Sequence, residues 1–173
     1  ADTDLAAVRG DPRYAAVIDR AKRNSKPCAY AAESRQLDFW LGDWDVHDNR
    51  SAQGLAGRSH VELILGDCVV FENWTGVFGG SGKSFNYWNP DHQCWQQDWV
   101  DDSGSVTNFR QGHLVNGAMV YLAEKPGTSG ATDQMRLTFF NLGPDQVRQF
   151  SETSSDGGQT WTVNYDLNYV RRK

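Results

Sequence analysis

Glu72 and Asp101 are two carboxylates that alternate with large aromatic side chains, Glu72 with Trp74, and Asp101 with Trp95, Gln97 and Trp99. In an extended segment residues two apart share a face. A carboxyl held among aromatics loses hydration, and burial raises its pKa toward the range of a general acid or base. Arg110, reading as sharing a face with Asn108 and Gly112, is the candidate partner for a developing oxyanion. Glu72, Asp101 and Arg110 are therefore the catalytic candidates if the protein is an enzyme. The chemistry would be that of a cyclase, isomerase or lyase working without a cofactor, and none is expected.

The same faces suit recognition without reaction. Trp74, Tyr87, Trp95 and Trp99 offer stacking surface, and Asn86 and Gln97 offer directed hydrogen bonds beside Glu72 and Arg110. Tyr87 alternates with Phe85 and Asn89, Asn86 with Ser84 and Trp88, and Arg148 with Phe150 and Glu152. Pointed inward, such mixed faces line a cavity with aromatic walls and a few polar groups, the usual make-up of a small-molecule site. The bland alternative is a filled interior whose Gln, Asn, Glu and Arg satisfy one another. Trp74, Asn86, Tyr87, Trp95, Gln97 and Trp99 are the ligand-binding candidates.

Other motifs carry less chemistry. Gly79-Gly80-Ser81-Gly82-Lys83-Ser84 ends like a phosphate-binding loop, but Val77 stands where its first Gly belongs and a strand follows instead of a helix. It reads as a hairpin loop. Ser154-Ser155-Asp156-Gly157-Gly158-Gln159-Thr160-Trp161 matches the Asp-box pattern familiar from sialidases, a hairpin turn in which the Asp bonds local amides. One copy in 173 residues cannot build the propeller in which that box recurs, so no glycosidase activity follows. His47, His60, His92 and His113 form no metal-ligand spacing, and no metal is expected. Trp40, Gly42, Trp44 and Val46 alternate onto one strand face, and Asp43, Asp45 and His47 fall on the opposite one, toward solvent.

These side chains need strands to position them. Asp11-Pro12 starts a helix whose stripe is Tyr14, Val17, Ile18 and Ala21, and Lys26-Pro27 stops it. Thr3 or Asp2 caps a shorter helix ending at Gly10. From about Leu37 short β-rich segments follow, near 38–49, 57–65, 68–77, 82–89, 93–101, 105–114, 117–124, 134–141, 146–154 and 160–170. Asn116-Gly117 and Asp156-Gly157 are strong hairpin signals between them. The expected fold is all-β: about ten antiparallel up-and-down strands closing into a barrel, a sandwich being the other option. A helical extension over 1–34 precedes the barrel of 35–173 and packs across one end or side of it.

The formal charge of −5 comes with scattered Lys and Arg, so there is no basic stripe for nucleic acid. Apolar runs fall well short of the roughly 20 residues of a membrane-spanning helix. Seven Trp, eight Phe and six Tyr supply large apolar area although hydrophobic residues make up only 39%. Cys28, Cys68 and Cys94 allow one disulfide with one thiol left over, or three thiols. The chain begins at Ala1, which suits signal-peptidase cleavage, and a periplasmic or secreted location is expected.

The segment Leu37-Asp38-Phe39-Trp40-Leu41-Gly42-Asp43-Trp44-Asp45-Val46 resembles the opening of a bacterial family of lipocalin-like, often exported proteins without established activity. Gly66–Trp74, Ser81–Tyr87, Trp95–Asp101 and the Asp-box hairpin are similar too, so the resemblance spans roughly 36–172. It implies a calycin-type barrel in which Gly42-x-Trp44 matches the lipocalin Gly-x-Trp. It further implies that Arg171 or Arg172 covers Trp44 in a structural role. Haem-binding barrels of related shape use a late His, and this chain has none after His113. Three functions stay open: a small-molecule-binding barrel, a cofactor-independent enzyme in the same cavity, or an interaction module whose N-terminal helix docks a partner or forms a homodimer.

Overall fold

The computed structural model describes residues 3–51, 54–127 and 132–173. The Asp11 carboxylate accepts a hydrogen bond from the Arg13 amide at 2.8 Å and so caps helix α1 (Pro12–Ser25), with Pro12 in its first turn. Pro27 opens the single-turn helix α2 (Pro27–Tyr30). The shorter helix expected to end at Gly10 reduces to a 3-10 turn over Thr3–Leu5. Its alternative cap, Asp2, lies outside the described residues.

Ten strands follow: β1 (Gly42–Asp48), β2 (Leu55–Ile64), β3 (Val69–Gly76), β4 (Ser81–Asn89), β5 (Cys94–Asp101), β6 (Val106–Val115), β7 (Ala118–Pro126), β8 (Thr132–Asn141), β9 (Gln146–Ser154) and β10 (Thr162–Arg171). Each is antiparallel to its sequence neighbours, and β1 pairs with β10 from Trp44 opposite Arg171 to Asp48 opposite Leu167. That pairing closes the meander into a barrel and removes both sheet edges. The sandwich is excluded.

Two local expectations need correction. The strand foreseen from residue 38 begins at Gly42, because Asp38–Trp40 winds a 3-10 turn. Trp40 reaches the interior from that turn, not by alternating with Trp44. The chain enters β1 through Gly42 at φ 129°, a conformation closed to other residues, and the Arg171 guanidinium fills the space where a Cβ would stand. Helix α1 does not lie on the barrel. None of its residues is buried and Val17 is 62% exposed, its main neighbour being α2.

The end of the barrel beneath these turns is closed by Leu37 and Trp40, both fully buried. The Trp44 indole donates to the Trp40 carbonyl at 2.8 Å, and the Trp40 ring lies 4.6 Å from that of Phe139. Arg171 covers Trp44 with its guanidinium 4.2 Å from the ring, and donates to the carbonyls of Leu41 at 2.9 Å and Pro144 at 2.7 Å. Arg171, not Arg172, therefore takes the covering position. Asp43 and Asp45 point outward, to His60 at 2.8 Å and Arg58 at 3.1 Å.

A disulfide between Cys28 and Cys68 ties α2 to the β2–β3 turn at this closed end. Arg35 reinforces it by donating to the Asp67 carbonyl at 2.6 Å. Cys94 is a buried free thiol. At the opposite end, Gly79-Gly80 forms the β3–β4 hairpin loop. The Asp-box makes the β9–β10 turn, Asp156 accepting from the amides of Gln159 and Thr160, both at 2.9 Å. The Thr160 hydroxyl bond and these amides hold the Asp156 pKa down at about 2.

Candidate functional site

Side chains inside the barrel change character along its axis. The closed end is apolar, with Trp44, Val61, Trp95, Met119, Phe139 and Val147 all but inaccessible. Above them sits a belt of buried polar groups: Ser59, Glu72, Ser84, Asn86, Gln97 and Gln149. Above the belt the lumen is not filled. A cavity of about 310 Å³ opens toward the far end, walled by Trp74, Trp99, Phe109, Met135, Tyr165 and Leu167 and floored by Glu72, Gln97, Gln149 and Tyr169. Its size lies at the small end of the range for ligand pockets, roughly 300–1,000 Å³.

Two glycines seat the tryptophans at the mouth. A Cβ on Gly57 would collide with the Trp74 indole, and a Cβ on Gly82 with that of Trp99. Each ring thus packs against a glycine of the neighbouring strand, where a side chain would leave no room. The Trp99 indole also donates to Asp101 at 3.3 Å, which fixes its outer edge.

Glu72 is 2% exposed, and three hydroxyls from three strands converge on it. Ser59 on β2 donates at 2.8 Å, Ser84 on β4 at 3.0 Å and Tyr169 on β10 at 3.0 Å. Burial is the dominant influence and pushes its pKa up, while the three hydroxyls pull it back. Among the described residues no cation answers it: besides Tyr165 and Tyr169, Glu72 is the one ionisable group lining the cavity. Burial also raises the pKa of both tyrosines. Beneath Glu72 the network continues: Asn86 donates to Ser84 at 3.1 Å and to the Val70 carbonyl at 3.2 Å. Asn86 accepts from Gln97 at 2.8 Å and from Tyr121 at 3.3 Å. The belt is pre-set to accept and orient, since each polar group is held by others.

The structure sorts the sequence candidates. Glu72, Trp74, Gln97 and Trp99 line the cavity together. Asn86 lies just below, reached through Gln97. Trp95 is deeper still, 1% exposed at the closed end with its indole donating to Gln36 at 2.9 Å. Tyr87 cannot share the lumen with Asn86, because adjacent residues face opposite ways. It stands on the outer surface, its hydroxyl donating to Asp98 at 2.9 Å. Asp101 sits at the barrel rim and accepts from the Ser103 and Ser105 amides at 3.0 and 3.1 Å, which lowers its pKa, the Ser103 hydroxyl contributing most.

Arg110 is also outside, paired with Asp98 at 2.7 Å. A β-bulge explains why. The register of β6 shifts against both neighbours around Arg110–Gln111, where Gln111 has φ 54°, so Phe109 and Gly112 both turn inward. Arg110 thus keeps Asn108 as a face-mate and loses Gly112. It lines an outer groove with Gln111, Arg136 and Trp161, of about 680 Å³. Both arginines there are neutralised, Arg136 by Glu152 at 2.8 Å, and the groove is solvated strand surface. Arg148, Phe150 and Glu152 share the outer face as well, Arg148 meeting Asp166 at 2.7 Å.

Site residues the sequence reading passed over come from β2, β6, β8, β9 and β10: Ser59, Phe109, Met135, Gln149, Leu167 and Tyr169. The signal was present for β10, where Tyr165, Leu167 and Tyr169 alternate. No protein-family model matches the chain, and no curated protein sequence matches it. The closed ten-stranded barrel is consistent with a lipocalin-like fold, and its open end holds an aromatic cavity around one buried carboxyl.

Proposed function

We propose that this protein holds a small, partly apolar molecule in the cavity above Glu72, as a lipocalin-like ligand-binding barrel. The observation that carries the reading is the unfilled lumen, where apolar walls meet a fully hydrogen-bonded polar floor. A barrel whose internal polar groups merely satisfied each other would have no reason to stop short of its mouth. Glycine-seated Trp74 and Trp99 give flat stacking surface at fixed positions, and the direction of the hydrogen bonds leaves Gln97 and Glu72 to orient the guest. Export belongs to the same proposal, since a Cys28–Cys68 disulfide persists in an oxidising compartment. The indole N–H resonances of Trp74 and Trp99 test the reading. A small-molecule extract of the host should shift these two and leave Trp44 and Trp95 in place. An extract that moves none of them counts against it.

An enzymatic reading rests on one observation, the carboxyl of Glu72 inside a cavity with its pKa pushed up by burial. Asp101 and Arg110 do not reach that carboxyl, so Glu72 would have to serve as acid and base alone. If Glu72→Gln leaves a measured turnover intact, this second reading is wrong.

A further inference from the structure

We infer that the ligand is a small organic amine, whose ammonium pairs with Glu72 while its apolar part lies against Trp74 and Trp99. The inference rests on the cavity being a binding site and adds the chemistry of its guest.

Hydroxyls of Ser59, Ser84 and Tyr169 all aim at the Glu72 oxygens, from β2, β4 and β10. Asn86 donates to Ser84 from behind, which turns the Ser84 proton toward the carboxyl. A site arranged to hold a neutral acid as donor would place acceptors around it. This one surrounds the carboxyl with the Ser59 and Ser84 hydroxyls and a Tyr169 hydroxyl whose single proton is shared between Glu72 and Gln149, and such donors favour a carboxylate. The missing part is the cation. From β5 and β9 the groups facing the carboxyl are Gln97 and Gln149, and from β10 Tyr165 and Tyr169. None carries positive charge. An isolated buried carboxylate is costly, and burial raises the pKa of Glu72 against the pull of the three hydroxyls.

A guest that brings an ammonium removes that cost. Its N–H groups donate to the carboxylate, and the faces of Trp74 and Trp99 attract the same charge. An alkylammonium is charged at neutral pH, as a lysine side chain is. Binding to protonated Glu72 then follows one balance: the ammonium enters, the carboxyl O–H bond breaks, and that proton leaves to buffer. Amine affinity must therefore rise with pH through the titration of Glu72, while a neutral guest of the same shape shows no such rise.

Phenethylamine and 2-phenylethanol supply that pair, followed by tryptophan fluorescence and by calorimetry in two buffers of different ionisation enthalpy. Wild-type protein should bind the amine about 10- to 100-fold more tightly than the alcohol. Below the titration of Glu72 the amine should release a proton where the alcohol releases none. Glu72→Gln should bring the ratio of amine to alcohol affinity down to about one. Equal affinities for the two probes in wild-type protein overturn the amine assignment and leave the cavity as a binding site. Absence of saturable binding by either probe overturns both. The wild-type comparison needs no variant to fold.

Discussion

The Tyr169 hydroxyl lies 3.0 Å from the Glu72 carboxyl, joining β10 to β3 across the lumen although β1 and β2 stand between those strands in the sheet. The same hydroxyl lies 3.0 Å from the Gln149 side-chain oxygen. One phenol thus links the Glu72 carboxyl at the floor of the cavity to β9. Tyr169→Phe removes the donor and keeps the ring. It should cost about 0.5–1.5 kcal/mol in urea unfolding, the usual net worth of one hydrogen bond, because Ser59 still donates to the same Glu72 oxygen. A loss below about 0.3 kcal/mol would show that Glu72 does not depend on this bond.

Glu72 also sets a pH dependence of known sign. Burial raises its folded pKa above the unfolded value of about 4.3, so folding favours the protonated form. That contribution is complete below the unfolded pKa and is lost as pH rises through the folded one. Glu72→Gln carries no such proton. Its stability relative to wild type should therefore climb as pH is raised from about 4 to about 8. Paired urea titrations measure this, and a difference that stays flat with pH contradicts it.

The Cys28–Cys68 bridge, spanning a separation of 40 residues, encloses the closed-end turns together with β1 and β2. Chain entropy alone puts the stabilisation from a loop of that length at about 4 kcal/mol, and measured values run about 2–4. The double variant Cys28→Ser, Cys68→Ser should lose that much on chemical unfolding. An unchanged midpoint would mean that the N-terminal segment unfolds independently of the barrel.

Gly82 is the seat of Trp99, and any Cβ there must displace the indole. Gly82→Ala should turn Trp99 toward the cavity and shift its fluorescence. Ligand affinity should fall by about tenfold or more, the equivalent of about 1.4 kcal/mol. If affinity and emission both match wild type, Trp99 is not a wall of the site.

Much of the barrel was legible because its strands alternate over most of their length and its turns carry Asn-Gly, Asp-Gly and Asn-Pro pairs. Trp44 with Val46, Glu72 with Trp74, and Gln97 with Trp99 fall where period two puts them. Failures came where alternation is broken or ambiguous. The bulge at Arg110–Gln111 breaks the period, and its local signal is Gly112, a lone glycine inside the strand. On β4 the outer set Phe85 and Tyr87 looks as mixed as the inner set Ser84 and Asn86, so the sequence cannot choose between them. The 3-10 turn over Asp38–Trp40 is three residues long, too short for helical periodicity to register. Helix α1 has a readable stripe, but a stripe does not say what it packs on, and here it is left largely open.

Leu167 points into the cavity from β10, and a larger side chain there would occupy the space assigned to the guest. Native mass spectrometry of wild-type protein and Leu167→Trp, each purified from its own host, compares occupancy directly. Overpacking of this kind costs about 1–3 kcal/mol, so the variant is first checked for cooperative unfolding. The expected result is a small molecule bound to wild-type protein and absent from the folded variant. A bare wild-type chain, or a bound mass that survives in Leu167→Trp, would contradict the assignment of this cavity as the binding site.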